Sequence, residues 1–132
     1  MKNITKTILP LVLASFLLAG CASYNLYSLA GTNIEDLEAA RSQGKNKVFS
    51  LSCDAAFDKT IQILKNNGLT IFMSNREKRY IVAIGFHKQT DTTRVGIFFE
   101  SLADGKTEIT LSSLSSTALA KAVPIIFGGL QP

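Results

Sequence analysis

The chain has 132 residues, 46% of them hydrophobic and 18% charged, with a formal net charge of +4. That length holds one hydrophobic core, and that apolar share excludes a disordered tail. The positive balance does not make a nucleic-acid surface. Such a surface gathers Lys and Arg on one face with base-stacking aromatics among them, whereas the densest run, Arg76-Glu77-Lys78-Arg79, mixes signs between two apolar stretches and reads as a solvated turn.

Residues 1–7 carry Lys2 and Lys6 and no acid, and residues 8–18 form an apolar run broken only by Pro10 and Ser15. This is the pattern of a signal peptide, assigned to residues 1–20. A membrane-crossing helix needs about 20 apolar residues, roughly twice this run. The run ends in Leu18-Ala19-Gly20-Cys21, which resembles the lipobox of bacterial lipoproteins. The resemblance implies that a signal peptidase reads Leu18, Ala19 and Gly20 and cuts before Cys21. It also implies a diacylglyceryl group on the Cys21 thiol and, often, a further acyl chain such as palmitate on the freed amino group. Several acyl chains, at about 0.8 kcal/mol per buried methylene, attach a protein stably to a membrane. Ala22-Ser23 follow the cysteine in place of the acidic residue that retains such lipoproteins in the inner membrane. The resemblance therefore implies the outer membrane, facing the periplasm, or the outer face of the cytoplasmic membrane in a cell that has only one. Loss of Lys2 and Lys6 leaves twelve basic residues against ten acidic, a nearly neutral +2.

Lipidation leaves Cys53 as the remaining thiol, so no internal disulfide is expected. Residues 21–46 read as a lipidated tether with a possible short helix. Thr32 and Glu35 have capping-box spacing, Ile34, Leu37 and Ala40 form a narrow apolar face, and Gly44 stops the run.

Residues 47–132 read as a single α+β domain in β-α-β-β-β-β order. Alternation of Phe49, Ser50 and Leu51 predicts a short strand over 47–51. Ala56, Phe57, Thr60, Ile61 and Leu64 then recur at helical spacing from Cys53, with Asp54 and Asp58 in the early turns and Gly68 as the stop. Cys53 is expected to be a small buried residue of the first turn. Strands over 69–74, 79–87, 93–102 and 107–114, joined by short connectors of turn-forming residues, predict an antiparallel meander. Val82, Ile84, Phe86, Val95, Ile97, Phe99, Ile109 and Leu111 are expected to face the main helix. The opposite face is expected to carry Glu108, Thr110 and Ser112 together with Phe72, Ile81, Ala83 and Phe98. Of these, Phe72, Ile81 and Phe98 form a possible partner patch unless a second helix or the tether covers them. Ser115-Ser116-Thr117 cap a possible C-terminal helix over 118–123 that Pro124 is expected to kink or end, and residues 125–127 then cover the core or serve as a docking arm.

No residue set able to run a reaction stands out. Metal ligation needs clustered His, Cys, Asp or Glu, and the chain has one His and, beyond Cys21, one Cys. His87 ends a strand beside Lys88 without a nucleophile in view, the serines lack a nucleophile-elbow frame, and the glycines form no phosphate-cradling loop. Asp91 and Asp104 read as turn residues. The expectation is a membrane-anchored, non-enzymatic binding or assembly module of the bacterial cell envelope, with an envelope protein as possible partner and no cofactor, metal or nucleic acid. An edge strand over 47–51 or 107–114 would accept an extended segment of that partner. The alternatives are a structural or stress-related envelope lipoprotein without a dedicated partner, or a carrier of a small apolar ligand.

Replacing Cys21 by Ser is expected to move the full chain from the membrane pellet to the soluble fraction and to abolish the acyl mass increment, as read by fractionation and intact-protein mass spectrometry.

Overall fold

The computed structural model describes residues 33–88 and 90–132, so the predicted signal segment and the lipobox residues 18–21 lie outside the described residues. The elements are α1 (Ile34–Ala39) and a 3-10 turn (Ala40–Gln43), then β1 (Lys45–Phe49), α2 (Cys53–Asn66), β2 (Thr70–Asn75), β3 (Tyr80–Ile84), β4 (Val95–Ser101), β5 (Thr107–Ser112) and α3 (Ser116–Leu130). The strands make one antiparallel sheet in the order β1-β5-β4-β3-β2. The fold is α+β, and β2 to β5 form the predicted meander. β1 pairs with β5, Lys45 opposite Leu111 and Phe49 opposite Thr107, so the edges are β1 and β2. The expectation that residues 107–114 offer an edge is corrected: β5 lies between β1 and β4, because a pairing across more than fifty residues closes that side.

α2 starts where Ser52 Oγ accepts a hydrogen bond from the Ala55 N–H at 3.2 Å, and Gly68 (φ 70°) turns the chain out of the helix. Its face of Ala56, Phe57, Thr60, Ile63 and Leu64 is buried on the sheet. Thr60 is tolerated there because its hydroxyl donates to the Ala56 carbonyl at 2.7 Å. α3 is capped by Ser115 as expected, but it does not end at Pro124. Proline removes the bond to the Ala120 carbonyl, yet both residues lie on the solvent side while Ala118, Ala122, Ile126, Phe127 and Leu130 are buried, and that burial carries the helix on to Leu130. Residues 125–127 are thus core cover, with the Phe127 ring 5.6 Å from that of Phe49. At Gly129 an added Cβ would meet Ile63 Cδ1 at 2.8 Å, so the missing side chain permits close approach of α3 to α2.

Three of the expected assignments to sheet faces are corrected. Ile81 pairs with Ile97 and Ala83 with Val95, so both point toward the helices, and Val82 points away. Gly85, at φ 100°, breaks the alternation after Ile84, and this lets Phe86 reach the helix side although Val82 does not. The other face has its own cover. α1 sets Leu37, fully buried, on Val82 and Phe98, with Ile34 and Tyr80 alongside. The guanidinium of Arg41 lies 4.7 Å over the Phe98 ring. Ser112 Oγ donates to the Leu37 carbonyl at 2.6 Å, and an added Cβ at Gly96 would meet Leu37 Cβ at 3.2 Å. The expected partner patch is therefore not one surface. Ile81 is in the main core, Phe98 is 3% exposed beneath α1, and only Phe72, 46% exposed, is open.

The tether boundary shifts for the same reason. α1, which the sequence places in the tether, packs on the sheet and belongs to the same fold as the residues from 47 on. Its cap is Asn33, whose Oδ1 accepts from the Asp36 N–H at 2.9 Å, one residue later than the Thr32 spacing predicts. Truncating Leu37 to Ala removes a fully buried side chain and is expected to cost about 2 to 5 kcal/mol. Urea denaturation measures it, and an unchanged midpoint would return α1 to the status of a tether.

Candidate functional site

A concavity lies where the β2–β3 turn meets the start of α2 and the end of β4. It encloses about 240 Å³ and is lined by Ser52, Cys53, Asp54, Phe57, Arg76, Arg79, Phe99 and Ser101. The turn is shaped by Asn75, whose Oδ1 accepts from the Lys78 N–H at 2.9 Å, and by Arg79 at φ 58°, which closes a bond to the Arg76 carbonyl at 3.2 Å.

The two arginines of this turn are positioned differently. Arg76 reaches across to α2, with Nη1 3.3 Å from Asp54 Oδ1 and Nη2 bonded to Asp58, while its plane lies 4.5 Å over the Phe57 ring. The bond to Asp58 and, after an opposing loss of hydration, that to Asp54 hold its pKa above the ordinary guanidinium value. Asp54 and Asp58 are four residues apart on one face of α2, so both meet a single cation. Arg79 donates from Nη1 to Ser101 Oγ at 3.1 Å, and its carbonyl accepts from the Phe99 N–H at 3.0 Å. The hairpin turn is thereby tied to the helix and to β4.

Cys53 is the first residue of α2 and is half-buried on the wall of this cleft, less enclosed than expected. Ser52 beside it uses its hydroxyl as the helix cap. His87 is exposed in the β3–β4 connector, at the other end of β3 from the cleft, so the thiol and the imidazole are not brought together. Asp91 and Asp104 both sit in turns. Asp91 Oδ1 accepts from the Thr93 N–H at 2.9 Å and from its hydroxyl at 2.6 Å, and Asp104 holds φ 62° between β4 and β5. The Thr93 donors, hydroxyl first, lower the pKa of Asp91. No group of three or more His, Cys, Asp or Glu able to hold a metal occurs among the described residues. Nor is any described helix long and apolar enough to cross a membrane.

The cleft thus brings together two guanidinium groups, one matched by two carboxylates and the other by a hydroxyl, beside the Cys53 thiol. The pairing of Arg76 was missed in the sequence, where a charged turn reads as solvated; the one available signal was the four-residue spacing of Asp54 and Asp58. Against known proteins, the chain matches no family model and no curated relative.

A depressed folded-state pKa at Asp91 means stability present above the unfolded carboxylate pKa of about 3.9 and lost as pH falls through the lower folded value. Asp91→Asn is expected to show a smaller loss of urea midpoint than wild type on acidification across that window.

Proposed function

We propose that the chain is a lipid-anchored, non-enzymatic binding or assembly module of the bacterial cell envelope, held on the outer membrane and facing the periplasm. The anchor reading rests on Leu18-Ala19-Gly20-Cys21 after a short apolar run with Lys2 and Lys6 before it. The binding reading is carried by one observation, the open edge at β1. Lys45, Asn46, Lys47 and Val48 are all exposed, and only Phe49 is buried.

An extended segment laid against this edge would pair with its outward main-chain groups and be read through alternate side chains. The lysines oppose pairing of the edge with a second copy of itself, since like charges meet in such a ladder. They favour a neutral or acidic segment instead. The other edge is less suited, because a bulge between Ile71 and Met73 interrupts the β2 ladder. A carrier of small apolar ligands draws no support from the cleft, which is small and lined by Arg76, Arg79 and Asp54. A structural envelope lipoprotein shares the anchor but needs no use of the edge.

A photo-crosslinking residue in place of Val48, in cells carrying the lipidated chain, is expected to capture one envelope protein. Proline at the β1 positions whose N–H groups point away from β5 should abolish that product while circular dichroism stays native. A product that survives in the folded proline variants excludes the edge, and no product at all favours the structural lipoprotein.

A further inference from the structure

α1 covers the middle of the second sheet face, and that face continues past it to the β2 edge. There Phe72 and Met73 are 46% and 39% exposed. The pairing steps from Ile71 opposite Ala83 to Met73 opposite Val82, so the bulge sets Phe72 and Met73 together against one residue of β3. The guanidinium of Arg94 lies 4.1 Å over the Phe72 ring. An aromatic ring, a thioether and a cation thus meet at one edge.

The described chain begins on this same face. α1 starts at Ile34, which packs on the cluster of Leu37, Val82 and Phe98, and Val82 is the cross-strand partner of Met73. Eleven residues, 22–32, separate the first described residue from Cys21. Fully extended, a segment of that length reaches at most about 40 Å.

We propose that Phe72 and Met73, beside Arg94, seat the domain on the surface of the phospholipid bilayer that holds the acyl chains of Cys21. This rests on the anchor reading above. Two partly exposed side chains are too few to draw a free domain to a membrane. A tether this short, however, gives an effective concentration on the order of millimolar, where a weak contact is enough. The chemistry fits that boundary: the ring and thioether enter the region between headgroups and acyl chains, and the guanidinium stays at phosphate level. Seated in this way, the domain keeps the β1 edge, at the far side of the sheet, away from the bilayer.

The test uses the full lipidated chain in vesicles of phosphatidylethanolamine and phosphatidylglycerol, with and without brominated acyl chains. The protein has no tryptophan, so Phe72→Trp and, in a second variant, Met73→Trp each give a lone reporter. Leu102→Trp, at a 38% exposed position between β4 and β5, is the reference. The expected result is blue-shifted emission, quenched by bromine, at position 72 or 73 and unquenched emission at 102. Three results overturn the seating: no quenching at either position, equal quenching at all three, or an unquenched blue shift that grows with protein density and so marks a second copy on the face. Intact mass of the same samples separates the two readings. A chain that carries its acyl mass and stays on vesicles without quenching removes the seating alone, whereas a chain lacking acyl mass on Cys21 removes the anchor and the seating with it.

Discussion

The contact of Leu37 with Val82 and Phe98 lets this sheet be apolar on both sides. A small antiparallel sheet can leave one face to water if that face is polar. Here β3 and β4 place Val82 and Phe98 on the side away from α2 and α3, and without α1 those side chains would be open to solvent. The same short segment satisfies a buried hydroxyl, since Ser112 is fully buried and its donor finds the Leu37 carbonyl. Losing α1 would therefore expose apolar surface and give up the bond between Ser112 and the Leu37 carbonyl in exchange for one to water, so the apolar exposure is the main cost.

On the other side, two helices divide the work. α2 lies between β1 and β2 in the chain and connects the two edges, and α3 fills the space beside it. Their close approach depends on Gly129, and the hold of α2 on the hairpin depends on Arg76 with its two carboxylates and the Phe57 ring. All three of these charges are substantially exposed, so the contact of the Arg76 guanidinium with the Phe57 ring matters more than the ion pairs themselves.

Local patterns in the sequence were enough for the α+β class, the order of strands and main helix, the serine cap of α3 and the meander. What they missed was set by single backbone events or by distance along the chain. Alternation through β3 has a definite period but no fixed phase once Gly85 takes φ 100°, so Val82 and Ile81 exchange faces. Pro124 signals a stop, yet it sits on the wet side of a helix whose dry side is long enough to continue. β5 reads as a terminal strand because the strand that covers it comes first in the domain. The cleft was equally hidden, since Arg76 meets Asp54 and Asp58 only after the hairpin folds back on the helix.

The pairing of β1 with β5 also sets an order of events. β1 appears early in the chain, and the strand it needs is complete only at Ser112, with the helix that closes the core following it. Until then β1 has no ladder and the aromatic pair Phe49 and Phe127 cannot form. Contacts so distant in sequence are slow to assemble, and a partly synthesised chain holds little that is stable. A polypeptide built in this way can close its core only once its last strand and its last helix have both left the ribosome.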